Sequence, residues 1–507
     1  MSNAQTFERQ GRPLAVTNWP AIVGCAAVVA LSVLLNARIG TNTDVSWIIT
    51  ILERMAAGER LYHDIVETNP PFTMWLYQPA FQLAQFLSIR PETAVFIFTY
   101  LAGLASLALT YRITERAGLT SNETHWWLWP ALAAVFFVLP GSVFAQREHV
   151  GLMMLLPLLA IQAWRMREDA QSQIPAYLAI VAGAAGSVII LVKPHWALAI
   201  VFPAIYVAWS RRSILSVFRL EYWVIGAIAA AYMASVLVLY PVFLESMYPM
   251  LKQLYLPISN ASGRWTPIFV KFILLLAVWS LLRMQSAKAP LSDITVLASI
   301  GFFAGMYGLG KGWDYHLYPS IATGMIASVV ALDAALRTAR RASIICWMAV
   351  FMGCIASLYF GLTNHVRKGP EPAIVEAIRD HHEKPAIAVV GADIGLAFPL
   401  TRLVNGTFHS AYCSDWASAH ALIRLIREKS SLSDGDRLWL ETFLATYIDA
   451  KIAEFTDHDP DIVIVSQNTL WAKHLLAEDA FQSVMLRYEP LVENQRYVVF
   501  KRKADAT

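Results

Sequence analysis

Apolar stretches long enough to cross a bilayer recur along most of this chain. They run over about 20–37, 71–111, 126–143, 149–164, 175–192, 195–210, 223–241, 267–283, 291–309, 317–335 and 342–361. A helix needs about 20 residues to span the hydrocarbon core. Within lipid each backbone polar group must be satisfied by its own segment, so these blocks are read as helices. Composition agrees. The chain is 57% apolar and 15% charged, against roughly 45–50% and 25% for soluble domains. The reading is a polytopic α-helical membrane protein, with the bilayer as its first partner. The net charge of +3 is nearly neutral, and no nucleic-acid partner is expected. Cys25, Cys346 and Cys354 lie in apolar blocks and Cys413 stands alone, so neither a disulfide framework nor a metal-type spacing is present.

The basic residues orient the helices. Arg and Lys in short loops mark the cytoplasmic side. They cluster at Arg9/Arg12, Arg112/Arg116, Arg165/Arg167, Arg211/Arg212/Arg219, Arg283/Lys288 and Arg337/Arg340/Arg341. From residue 112 onward these fall at alternate loops, which places the N-terminus (1–19) in the cytoplasm and everything after about 362 outside. The first apolar block has no small-residue cleavage site behind it and is read as a retained helix. The block 71–111 is long enough for two helices, but two crossings would reverse every later loop. It is therefore counted as one net crossing, with the stretch after Pro70-Pro71 tilted or partly in the interface. About eleven to thirteen crossings over 20–361 result.

From about Asn364 the composition becomes that of a soluble domain. Ala386-Ile-Ala-Val-Val390, Asp461-Ile-Val-Ile-Val465 and Arg496-Tyr-Val-Val-Phe500 read as short buried strands, with helical stretches at Ala417 to Glu428 and Asp436 to Phe455 between them. Residues 362–507 are expected to form a small α/β extracytoplasmic domain. Gly391-Ala-Asp393 reads as an ordinary strand-to-helix connection.

The ionisable residues of the apolar region collect at one face, in outer loops. The first of these, 39–70, holds Thr43-Asp44-Val-Ser-Trp47, then Gly58-Glu-Arg-Leu-Tyr62-His-Asp64, then Glu67-Thr-Asn69-Pro70-Pro71. Thr43 can cap a helix that begins at Asp44. Trp47, Ile48, Ile51, Leu52 and Met55 share one face of that helix, with Ser46, Thr50 and Glu53 on the other. This pattern predicts an amphipathic helix lying in the interface plane. An acidic residue opening such a helix, then Gly-x-x-Leu-Tyr-x-Asp, then an acid shortly before Pro-Pro, resembles the GT-C glycosyltransferase superfamily. The resemblance is nearest to the branch of protein O-mannosyltransferases and lipid A aminoarabinose transferases. It covers roughly 20–165 by motif and the remainder by layout.

That resemblance implies a multi-helix membrane module with an outer soluble domain. It implies a polyprenyl-phosphate-linked sugar as donor and a lipid, glycan or protein as acceptor, with inversion, at the outer face of the inner membrane. Asp44 matches the catalytic acid of the first loop, acting as general base. Glu67 matches the acid before Pro-Pro, and Trp47 and Asn69 line the same cavity. Many relatives carry Lys where Asn69 stands, so the carrier phosphate must find its cation elsewhere. Glu148, in Arg147-Glu148-His149, matches a second acid. With His149 and Glu67 it offers a set for a hard divalent ion such as Mg, Mn or Ca, which takes carboxylate oxygen. Cations for the phosphate are expected from Arg147, Lys193, Arg264, Lys311 and His316, since charge grows on the leaving oxygen. His195, Trp313 and Tyr315 are expected in the cavity wall. A transporter or flippase of lipid-linked sugars, or an O-antigen ligase or polymerase, would use the same carrier. The former usually shows charged residues near helix midpoints, and the latter a large outer loop between late helices.

Overall fold

The computed structural model describes residues 19–121, 123–167, 174–258, 265–286, 288–338 and 369–504, with residues 344, 348 and 351–353. Arg9, Arg12, Arg264, Arg340, Arg341 and the last expected span, 342–361, lie outside the described residues or almost wholly so.

Six described helices are long and apolar enough to cross a membrane: α1 (Trp19–Ile39), α4 (Pro91–Ala117), α9 (Leu220–Leu239), α11 (Trp265–Arg283), α12 (Pro290–Leu309) and α13 (Asp314–Thr338). Shorter helices α5 (His125–Phe137), α7 (Ala176–Val192) and α8 (Leu198–Ser210) pack among them with α6 (Arg147–Arg165). α6 is buried along almost its whole length and touches α4, α7, α8, α12 and α13, so it forms the axis of the bundle. The helices approach closely where side chains vanish. A Cβ at Gly301 of α12 would stand 2.4 Å from the Leu198 carbonyl oxygen, which is how small residues let membrane helices meet. The chain is a multi-pass membrane protein.

Two sequence expectations are refined here. The 126–143 block is not one helix: α5 stops at Phe137, ahead of Pro140-Gly141, and a single tight turn follows at Gly141–Val143. The 71–111 block divides at Ser88, which adopts a left-handed conformation (φ 53°), into α3 (Phe72–Leu87) and α4. Both ends of α3 meet the C-terminal domain. Asn69 shares a cavity with Cys413 and Ser414, and Glu92 at the start of α4 is ion-paired to Arg402 at 2.6 Å. The chain on both sides of α3 thus meets the same domain, and of the two helices only α4 is long and apolar enough to cross a membrane.

The C-terminal domain holds a five-stranded sheet of order β2-β1-β3-β5-β4, with β1 (Ala386–Val390), β2 (Thr407–Phe408), β3 (Ile462–Ser466), β4 (Tyr488–Glu493) and β5 (Tyr497–Arg502). β2, β1 and β3 run parallel; β5 is antiparallel to β3 and to β4. The central pair β1 and β3 is buried on both faces, as their unbroken aliphatic runs require. α14 (Pro372–His381) precedes the sheet, and between the strands lie α15 (Leu400–Leu403), α16 (Trp416–Arg427), α17 (Asp434–Asp457), α18 (Leu470–Leu476) and α19 (Asp479–Met485).

The helix of the first loop, α2 (Thr43–Ala56), differs from expectation at both levels. Its N-cap is Asn42, not Thr43: the Asn42 side chain accepts the Asp44 N–H at 2.8 Å. Nor does it lie with one wet face in the interface. Val45 through Leu52 are all buried, because the C-terminal domain covers the polar face. Trp47 packs on Phe398 and Phe408 at 5.3 and 6.1 Å between ring centroids. Arg402 reaches Glu53 at 2.5 Å, and Arg54 donates to the Ser410 carbonyl at 2.7 Å. The Val66 N–H adds a backbone bond to Ala411 O at 2.8 Å.

Candidate active site

The α2 cap fixes the first functional side chain. Asn42 receives the Gln146 amide at 2.8 Å and donates to Ser142 O at 2.7 Å, so the loop before α2 is stitched to the loop before α6. Gln146 also donates to Asp44 Oδ2 at 3.2 Å, and Arg147 Nη2 stands 3.9 Å from the same oxygen. Asp44 retains 25% of its side-chain surface while Arg147 retains 6%. Burial pushes the Asp44 carboxyl above its ordinary range; Arg147 and Lys193 pull against this, and Glu148 and Glu67 reinforce it.

One residue further on, α6 turns Glu148 into the protein. Its carboxylate is 1% exposed and meets Lys193 Nζ at 2.6 Å. Lys193, at the end of α7, has both other neighbours in place: it donates to His316 Nε2 at 2.5 Å and lies 5.0 Å over the Tyr315 ring. Burial draws the Lys193 ammonium below its ordinary range, and Glu148 restores part of the loss.

Asp44, Glu67, Arg147 and Lys193 open on one cavity of about 390 Å³, with Trp47, Asn69, Trp313 and Tyr315 also in its walls. Among the described residues Glu148, His149, His195, Lys311 and His316 are not in its lining, each for an identifiable reason. Glu148 and His316 form a layer beneath Lys193. His149 accepts the Ala145 N–H at Nδ1 (3.0 Å) and donates from Nε2 to Phe136 O (2.7 Å). Both ring nitrogens are therefore committed to bracing the turn before α6. Glu67 is spent on Trp47 Nε1 (2.7 Å) and the Asn69 N–H (2.8 Å), which shape the turn into Pro70-Pro71. The set Glu67, Glu148 and His149 is thus not assembled around a common point. Among the described residues no group of three His, Cys, Asp or Glu side chains could hold a metal ion, so the donor set named for a divalent ion does not fit one here.

Lys311 is also turned away from the cavity. It donates to the carbonyls of Tyr255 and Ile258, the latter at 2.6 Å. These close the helical segment built from α10 (Tyr248–Met250) and its two flanking wide turns, Phe243–Met247 and Leu251–Tyr255. Helix ends expose carbonyls that a cation satisfies, and this demand outweighs a role toward phosphate. Burial draws the Lys311 ammonium down to about 8. His195 packs at a tilt against Trp196, 4.4 Å between ring centroids, and is not in the cavity lining.

The sequence reading missed the remainder of the cavity wall. Tyr255 and Ile258 come from the loop after α9. Ala392, Ile394, Cys413, Ser414, Trp416 and His420 come from the C-terminal domain. The turn at Gly391-Ala-Asp393, read as a plain connection, borders the cavity. Gly391 donates its N–H to buried Asp415 at 2.8 Å, which ties it to the 413–416 loop.

No protein-family model matches the chain, and no curated protein matches it significantly. Solved structures do. The crystal structure of ArnT from Cupriavidus metallidurans bound to undecaprenyl phosphate superposes with a TM-score of 0.56 at 15% identity, over 97% of this chain and 99% of that one. The apo state of the same protein gives 0.53 at 14% identity, over 96% and 99%. Coverage of both chains is nearly complete, so the likeness embraces the bundle, the first loop and the C-terminal domain together. The chain has the GT-C fold, in the form that ArnT takes.

Proposed function

We propose that the protein is a glycosyltransferase that takes a sugar from a polyprenyl-phosphate carrier at the outer face of the inner membrane. One observation carries this reading: a carboxylate and two cations from different helices, Asp44 with Arg147 and Lys193, open on one cavity beneath a soluble domain. The structural likeness to a protein crystallised with undecaprenyl phosphate supports the choice of carrier.

In the proposed reaction Asp44 takes the proton of an acceptor hydroxyl, for which burial has raised its basicity. The hydroxyl oxygen forms a bond to the anomeric carbon while the bond from that carbon to the phosphate oxygen breaks. The electron pair leaves with polyprenyl phosphate, and the configuration inverts. Arg147 and Lys193 stabilise the second negative charge that the phosphate acquires. They supply what the Lys before Pro-Pro provides in relatives, since Asn69 cannot. The Trp47–Glu67–Asn69 bonds hold the loop that borders the carrier, and Glu148 orients Lys193. In this reading the N-terminus is cytoplasmic and the domain after 362 is periplasmic.

The test is release of polyprenyl phosphate from a labelled polyprenyl-phosphate sugar by purified full-length protein. Release should require wild-type Asp44 and fall by at least about a hundredfold in Asp44→Asn, the scale of a positioned general base. Undiminished release in that variant would remove Asp44 from its role. Absence of release and of carrier binding by the wild type would overturn the assignment.

A further inference from the structure

The cavity has two chemically distinct halves. Its floor is ionic, with Asp44, Glu67, Arg147 and Lys193. Its roof, contributed by the C-terminal domain, contains no acidic, Lys or Arg side chain among the described residues: it presents Ala392, Ile394, Cys413, Ser414, Trp416 and His420. Burial and the nearby Lys311 charge lower the His420 imidazole, which favours its neutral form.

An unbroken aromatic strip joins the halves. Tyr315 lies under Lys193 at 5.0 Å. Trp313 stacks on Tyr315 at 5.6 Å and 27°. Tyr255 follows at 6.0 Å from Trp313, and Trp416 at 6.0 Å from Tyr255. The far end of the strip is held by the domain itself. Arg424 on α16 donates to Gln253 O at 2.7 Å, and the Gln253 amide donates to Asp436 at 3.0 Å. Tyr255 and Trp416 are therefore positioned as a pair across the boundary.

We propose that the roof is an acceptor subsite and that it takes an uncharged saccharide. The inference rests on the donor reading above. Asp44, which takes the proton, fixes the acceptor oxygen within hydrogen-bond reach of its carboxylate, and Cys413 of the roof lines the same cavity within range of the Asp44 charge, so the body of the acceptor extends under the roof. A phosphorylated or acidic acceptor would need cations there to offset its lost hydration. An uncharged sugar needs apolar faces and neutral hydrogen-bonding groups. Trp416 and Tyr255 provide the first, and His420 and Ser414 the second.

The experiment uses full-length protein in detergent and follows binding of neutral methyl disaccharides by saturation-transfer NMR, against the same disaccharides carrying a phosphate monoester. Binding of polyprenyl monophosphate is measured in parallel on every sample. Neutral disaccharides should bind, and the phosphate monoesters should bind more weakly. Trp416→Leu should weaken neutral binding about tenfold, the value of a lost aromatic contact, while Trp416→Phe retains most of it. His420→Ala should weaken it about threefold or more, as expected for one hydrogen bond. Carrier binding should persist in all three variants. If Trp416→Leu also loses carrier binding, misfolding is the cause and His420→Ala with Trp416→Phe decides. Tighter binding of the phosphate monoesters, or unchanged neutral binding in His420→Ala, would overturn the proposal. Failure of the wild type to bind polyprenyl monophosphate would instead strike the donor reading, whichever sugars bind.

Discussion

Replacing Lys193 by Met separates the structural from the chemical duty of the ion pair beneath the cavity. Glu148 is 1% exposed and its carboxylate lies 2.6 Å from Lys193 Nζ. Removing one partner of a buried pair costs about 3–5 kcal/mol, because the survivor stays buried and charged. Lys193 retains 13% exposure, and Arg147 still opposes the Glu148 charge, so the lower end, about 3 kcal/mol, is expected. Adding Glu148→Gln removes the orphaned charge and should return about 2 kcal/mol of this, a non-additivity that a double-mutant cycle reads directly. Carrier affinity should not return. A charge-assisted contact contributes about 1.5–3 kcal/mol, so both variants should bind polyprenyl phosphate about tenfold to a hundredfold more weakly than wild type. Stability is followed by reversible SDS unfolding in mixed micelles, and affinity by titration of the same samples. If the double variant regained carrier binding along with stability, Lys193 would be a packing residue and the phosphate would need another cation.

Three further outcomes are expected. The pH profile of kcat/KM should lose activity as pH falls through a limb lying above the ordinary carboxylate value of about 3.9, since burial raises Asp44; Arg147→Gln deletes an opposing charge and should move that limb higher still, whereas a limb at or below 4 would contradict the burial argument. Arg402→Met removes the buried partner of Glu92, with both side chains 11% exposed, leaving it only exposed Arg90 at 3.6 Å, and releases half-exposed Glu53. About 2 kcal/mol of destabilisation is expected, with faster proteolysis between the bundle and the C-terminal domain, and intact docking would show that aromatic packing suffices. Gly301→Ala drives a methyl into the Leu198 backbone at 2.4 Å; overpacking of this kind costs about 1–3 kcal/mol, measurable in the same SDS assay, and a neutral result would mean that α12 and α8 can separate freely.

Much of the architecture was legible because the bilayer imposes one simple demand. Long apolar blocks had to be helices, and aliphatic runs such as Ile462–Val465 in a polar context had to be buried strands. The acid at the head of α2 and the Arg147-Glu148 pair were legible as polar residues placed where only a cavity accommodates them. The failures share a different cause. Lys311 and His149 were read by residue type, but each is consumed by backbone groups: Lys311 by the carbonyls that end the 243–255 segment, His149 by Ala145 and Phe136. Backbone demand of that kind depends on where a helix stops, and sequence locates helix ends poorly. The roof was invisible for another reason. Trp416 and His420 lie four residues apart on an amphipathic helix, and nothing local distinguishes them from a core aromatic and a surface imidazole. Only the docking of α16 over Tyr255 makes them part of a cavity. The same docking explains why α2 is covered on its polar side, where its own periodicity indicated exposure to water.

The burial of α2 between bundle and outer domain also sets a timetable for biogenesis. The Arg54–Ser410 contact closes a loop of 356 residues. At translation rates of about 5–20 residues per second, the first loop waits on the order of tens of seconds before its cover emerges. Throughout that interval Trp47, Thr50 and Glu53 lack the contacts from Phe398, Phe408 and Arg402 that cover them in the folded protein. Completion of the cavity that Asp44 lines is therefore coupled to the last third of synthesis, and a nascent chain halted before residue 398 carries every membrane helix described here without the C-terminal part of that cavity's wall.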